Sequence, residues 1–125
     1  MNIDSILNIG ASRQPSSQEE ISNLERKVTV PDSLLALYGQ TDGFMMPSGV
    51  NVYGVSDIIE RNTTFELHIY SPGYILIGDD SGGRGFLLNQ DEGDSSVYSS
   101  DLADLDPSDF EVEADSVEQW LSSLQ

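Results

Sequence analysis

The stretch Tyr74-Ile75-Leu76-Ile77-Gly78-Asp79-Asp80-Ser81-Gly82-Gly83-Arg84-Gly85-Phe86-Leu87-Leu88-Asn89 decides the fold. Residues 74–77 form a compact apolar run, and residues 85–89 form a second around Phe86, Leu87 and Leu88. Runs this short, bounded by glycine and aspartate, read as strands rather than helices. The glycine-rich segment 78–85 joins them. Asp91-Glu92-Gly93-Asp94 turns the chain again, and Val97-Tyr98 supplies a short third strand. Strands this close together predict an antiparallel meander.

Upstream, Pro72-Gly73 is a turn. Phe65, Leu67 and Ile69 alternate, which predicts a strand over 65–70. Residues 56–61 suit one or two helical turns with Ile58 and Ile59 inward. Val50, Val52 and Val55 alternate around Tyr53 as in a strand. Before them, Pro31 suits the first position of a helix whose buried side is Leu34, Leu35 and Tyr38. Gly39 and Gly43 bracket its exit. An earlier helix is capped by Ser16 or Ser17 with Glu19 or Glu20 three residues on, followed by Ile21, Leu24 and Val28 at helical spacing. Residues 13–17 read as a loop. Ile3, Ile6 and Leu7 suggest a short helix over 3–9, stopped by Gly10.

Downstream, residues 99–109 read as acidic and irregular. Ser116 and Gln119 have capping-box spacing, and Val117, Trp120, Leu121 and Leu124 then form one apolar stripe. Helices at both ends with strands between them predict a single α+β domain over 1–125. Its sheet is a largely antiparallel meander, flanked by N-terminal helices and a C-terminal helix.

The 125 residues suit one domain, and 38% hydrophobic content suffices for one core. The charge narrows the partners. Twenty-two acidic residues against five basic ones give a net charge of −17. Such a chain repels nucleic-acid phosphates and anionic membranes and attracts basic proteins. Direct nucleic-acid or membrane binding is therefore not expected. With Lys27 the only lysine, the same balance also suits a chain adapted to high salt. Cysteine is absent, which rules out disulfides and thiolate chemistry and suits a reducing cytoplasm. The first eleven residues lack a signal-peptide pattern, and no run reaches membrane-span length. A cytoplasmic location is expected, and the sequon Asn62-Thr63-Thr64 then has no consequence.

Several chemical motifs fail on inspection. Asp80-Ser81-Gly82-Gly83 resembles the nucleophile segment of trypsin-like proteases, but that chemistry needs a histidine base with a carboxylate behind it. The only histidine, His68, has no such surroundings. The same loop carries Asp79 and Asp80, lacks lysine and leads into a strand, so it is a poor phosphate cradle. Neither 79–83 nor 91–94 has the ligand spacing of an EF-hand. No carboxylate pair stands out as glycosidase-like. No catalytic residue, cofactor site or metal site is assigned.

The acidic residues themselves carry the functional signal. Between positions 79 and 118 there are 13 acidic residues and one basic residue, Arg84. Candidate partner contacts are Asp79, Asp80, Asp91, Glu92, Asp94, Asp101, Asp104, Asp106 and Asp109, with Tyr98 as an aromatic anchor. With Glu111, Glu113 and Asp115, the later acids are expected to form a continuous rim. Tyr53 and Phe110 are further anchors if exposed, although Phe110 is assigned to the core. A field of this sign steers a basic partner, whereas a merely solvated acidic face would serve solubility.

The order of motifs resembles the SUKH superfamily, over roughly residues 17–124. The resemblance starts with Ile21, Leu24 and Glu25, then Val30-Pro31-Asp32 with Leu34, Leu35 and Tyr38. Thr41-Asp42-Gly43-Phe44 follows, where the family usually has Asn-Gly-Gly. Val52-Tyr53-Gly54 precedes Ile58 and Asn62. The 74–83 block matches best, followed by Phe86, Leu88, Asp91-Glu92-Gly93, Val97-Tyr98 and the helix with Val117, Trp120 and Leu121. The departures are Asp42 for asparagine and Phe44 for the second glycine. The resemblance implies a non-catalytic binding domain. Bacterial proteins of this type are often immunity proteins that neutralise a cognate toxin, many such toxins being nucleases. The implied partner is a basic protein, a bacterial toxin, covered by the acidic surface. A regulatory or scaffold module is the alternative reading. A hydrolase built on an unrecognised carboxylate pair is the third, and it requires a concave pocket holding those carboxylates.

Overall fold

The hairpins predicted from residues 74–98 form the middle of the sheet in a computed structural model, which describes residues 11–124. The helix expected over 3–9 lies outside the described residues. The strands are β1 (Ala11–Ser12), β2 (Phe44–Met45), β3 (Asn51–Val52), β4 (Tyr74–Asp79), β5 (Arg84–Asn89), β6 (Val97–Asp101) and β7 (Glu111–Ala114). They lie side by side in chain order, every pair antiparallel. The helices are α1 (Gln18–Lys27), α2 (Asp32–Tyr38), α3 (Val55–Thr64), α4 (Leu67–Tyr70) and α5 (Val117–Ser123). The α+β class and the meander are as the sequence predicts.

Local chemistry explains the helix starts. Ser17 Oγ accepts the Glu20 N–H at 3.1 Å, and Glu20 Oε1 accepts the Ser17 N–H at 3.0 Å, closing a capping box on α1. Ser116 Oγ accepts the Gln119 N–H at 3.1 Å and opens α5. That helix lays Val117, Trp120 and Leu121 into the core, where the Trp120 ring meets Phe86 at a centroid distance of 5.0 Å. Burying one such side chain is worth about 2–3 kcal/mol.

Several elements depart from expectation. Residues 65–70 contain a helical turn, not a strand. Glu66 takes a left-handed φ of 55°, and α4 then buries Leu67 while Ile69 is 56% exposed. Three alternating apolar residues are too few to fix a period. Pro31 is the N-cap of α2 rather than its first helical residue, and Leu37 rather than Leu35 is fully buried there. The strand expected around Tyr53 is confined to Asn51 and Val52, because Gly54 already caps α3. The irregular reading of 99–109 also gives way in part. β6 continues to Asp101, and residues 107–109 form a 3-10 turn. β7 is a further strand that the acidic reading concealed.

One contact replaces a missing strand partner. Along β4, β3 pairs with Gly78 and Asp79 only, and the Tyr53 N–H reaches the Ile77 carbonyl at 2.9 Å. At Leu76 the neighbour is instead Asn62 on α3. Its Nδ2 donates to the Leu76 carbonyl and its Oδ1 accepts the Leu76 N–H, both at 2.8 Å.

Candidate protein-binding surface

The acidic candidates fall into three groups. In the β4–β5 hairpin, Asp79 Oδ1 accepts the Ser81 N–H at 2.9 Å, and its other oxygen accepts the Tyr53 hydroxyl. Burial and then this hydrogen bond push the Tyr53 phenol far above its ordinary range. Asp80 Oδ1 accepts the Gly82 N–H at 2.7 Å and the Arg84 N–H at 3.0 Å. Those amides, led by Arg84, hold the Asp80 carboxyl below its ordinary value. Both carboxylates thus shape the loop. The segment singled out for its protease-like sequence is this hairpin turn, with Ser81 at a left-handed φ of 63°.

The β5–β6 hairpin uses its acids similarly. Asp91 Oδ1 accepts the Gly93 N–H at 2.9 Å. Glu92 reaches 60 positions back and accepts the Asp32 N–H at 2.9 Å, capping α2 where Pro31 offers no side-chain acceptor. Asp94 accepts the Tyr98 hydroxyl at 2.5 Å and the Ser96 N–H at 3.0 Å. The Tyr98 bond is the main cause of a lowered Asp94 carboxyl and of a raised Tyr98 phenol. The half-buried Tyr98 ring stands edge-on to Tyr74 at 5.9 Å and lies near Phe110. Phe110 packs against the core, as expected. Tyr53 is only 1% exposed and offers no surface anchor.

The third group follows β6. Asp101 Oδ1 accepts the Ala103 N–H at 2.8 Å, and Asp106 Oδ1 accepts the Ser108 N–H at 3.0 Å and its hydroxyl at 2.9 Å. The Ser108 amide is the main cause of a lowered Asp106 carboxyl. Asp104 is raised, chiefly by its hydrogen bond to Asp109. Oxygens of exposed Asp104, Asp106 and Asp109 all lie within 4.8 Å of one another. This is the kind of oxygen cluster a hard cation accepts. It lies outside both segments weighed for calcium from sequence.

The topology places these groups at the two ends of the β4–β7 part of the sheet. Asp101 pairs with Arg84, which places it at the Asp79–Asp80 end. Asp91, Glu92 and Asp94 lie at the opposite end, beyond the length of β5, about 17 Å at ordinary strand rise. β7 runs between the two ends, from Glu111 opposite Ser99 to Ala114 opposite Val97. Arg84, the single cation of this region, is engaged. Its Nη2 meets Glu111 at 3.0 Å, and its Nε donates to Ser99 Oγ at 3.0 Å.

A groove of about 430 Å³ lies elsewhere, between α1, α3, α4 and the start of β4. Its lining includes Lys27, His68, Ile59, Leu67 and Ile75, and contains no carboxylate. His68 is exposed on α4 rather than on a strand. No helix among the described residues is long and apolar enough to cross a membrane.

The SMI1 / KNR4 family (SUKH-1) profile matches residues 15–123. The chain belongs to this family. No curated protein matches it. Within this SUKH-1 domain, Asp42 stands where the resemblance leads one to expect asparagine. Its Oδ1 accepts the Val55 N–H at 2.8 Å and the Ser16 hydroxyl at 2.9 Å. Gly54, the N-cap of α3, has no side chain, so Asp42 caps that helix from 13 residues away. The role asks only for an acceptor oxygen, which either residue supplies. Gly43 has φ 77°, and a Cβ there would lie 2.5 Å from the Val52 carbonyl, so glycine is required. Phe44, the other departure, is fully buried in the core.

Proposed function

We propose that this SUKH-1 domain is a non-catalytic immunity protein that acts in the cytoplasm. It would neutralise a basic cognate toxin by covering its active site with an acidic surface. The observation that carries this reading is the charge asymmetry of positions 79–118, with 13 acids and one cation. That cation, Arg84, is itself ion-paired to Glu111. Membership of the SUKH-1 family supports it, because related proteins serve as toxin antidotes. A nuclease toxin binds polyanionic nucleic acid and presents lysine and arginine around its active site, so an acidic protein competes for the same groups.

Co-expression with the product of the adjacent gene tests the reading. The two should co-purify, the toxin's activity should fall in the complex, and association should slow steeply as salt rises. Failure to co-purify with any neighbouring gene product, or association indifferent to salt, counts against it.

A further inference from the structure

β7 is the outermost strand of the sheet, and among the described residues nothing pairs with its outer edge. The direction of its backbone groups follows from the ladder. The Leu102 N–H donates to the Gly83 carbonyl at 2.9 Å, so even-numbered residues of β6 point toward β5. Tyr98 therefore turns away from β7, and its partner Val112 turns away from β6. The Val112 N–H and C=O face outward. The Val112 side chain is also 61% exposed. A bulge accompanies this edge, since Tyr98 faces Val112 while Val97 faces Ala114, leaving Glu113 as the extra residue.

Apart from Arg84, which pairs with Glu111, the charges around this edge are acidic. Positions 104–118 hold seven acidic residues and no lysine or arginine. Glu111 and Glu113 flank Val112. They sit on the face of Ser99, where Glu113 accepts the Ser99 hydroxyl at 2.5 Å. A second copy of this chain pairing here would set glutamate near glutamate, which is unfavourable. An extended segment with cations at alternate positions meets the opposite situation.

We infer that the outer edge of β7 receives a lysine- or arginine-rich extended segment of the protein partner as an added strand. The inference rests on the acidic-surface reading above and specifies how that surface is used. Backbone bonds to Val112 fix the segment. Its alternate side chains meet Glu111 and Glu113 on one face and Val112 on the other.

The test uses a short peptide alternating lysine and valine, and the same peptide N-methylated on alternate amides, with equal charge. Calorimetry at low salt should show the unmethylated peptide binding about tenfold more tightly, the effect of one or two hydrogen bonds. Val112→Pro removes an outward N–H and leaves the β6–β7 ladder intact. It should abolish the difference between the peptides. Independently, hydrogen exchange at the Val112 amide of the unaltered protein should slow when the unmethylated peptide is added. Equal binding of both peptides, or unchanged exchange at Val112, overturns strand addition and leaves the acidic-surface reading standing. No binding of either peptide at low salt overturns both.

Discussion

Asn62 closes both backbone hydrogen bonds of Leu76, one through its amide nitrogen and one through its oxygen, each at 2.8 Å. A side chain on a helix thereby stands in for a strand. The same Nδ2 also donates to the Ile58 carbonyl at 2.9 Å, so the amide is fixed from both elements.

Asn62→Ala should leave the Leu76 N–H and C=O without partners. The expected loss is about 2–3 kcal/mol, read from urea denaturation. Asn62→Asp should be no better. An aspartate still accepts from Leu76 but cannot donate to the Leu76 and Ile58 carbonyls, and it sets a charge against them. Unchanged midpoints for both variants would show that solvent substitutes for the amide.

Asp42 makes a parallel case at the N-terminus of α3. Asp42→Asn keeps the acceptor for Val55 and should change stability little. Asp42→Ala should cost about 1–2 kcal/mol, the usual loss of a helix cap. Equal stability of the two variants would show that the carboxylate oxygen does not hold the helix.

These two contacts mark the limit of what the chain alone discloses. The central hairpins were legible because apolar runs such as 74–77 end in glycine, and α1 and α5 because Ser17 and Ser116 have their partners three residues on. Such signals are local. The Asn62–Leu76 and Glu92–Asp32 bonds span 14 and 60 positions, and no periodicity announces them. β7 was hidden differently. Glu111-Val112-Glu113 alternates as a strand does, but with one apolar residue the pattern is indistinguishable from an acidic loop. The acids of the candidate surface were legible one by one. Their work within the loops was not, because it depends on which amides the turns bring near.

Acid titration should separate the structural carboxylates from the free ones. Asp80 and Asp94 are held below the ordinary aspartate value of 3.8, so the folded state binds their protons less readily than the unfolded state. Their stabilising contribution is complete above that value and is lost as pH falls through the lower folded value. Asp80→Asn and Asp94→Asn should each be slightly less stable than the parent at neutral pH. Both groups are partly exposed, so solvent screening keeps the loss small. The gap should close in strong acid, as followed by thermal melts across pH. A gap that persists in strong acid would show that charge is not its source.

Asp104 should respond the other way. Asp109 raises the Asp104 carboxyl, so the folded state holds this proton more tightly than the unfolded state does. Deprotonation above the ordinary value therefore weighs against the fold. Asp109→Asn removes one of the two charges and should raise the melting temperature at neutral pH, with a smaller gain at high salt. The same variant should associate more slowly with a cationic partner, because the field that repels within the cluster attracts across an interface. Measuring both quantities on one variant tests whether the cluster exchanges stability for recognition. A gain in melting temperature with undiminished association would leave the cluster without a part in binding.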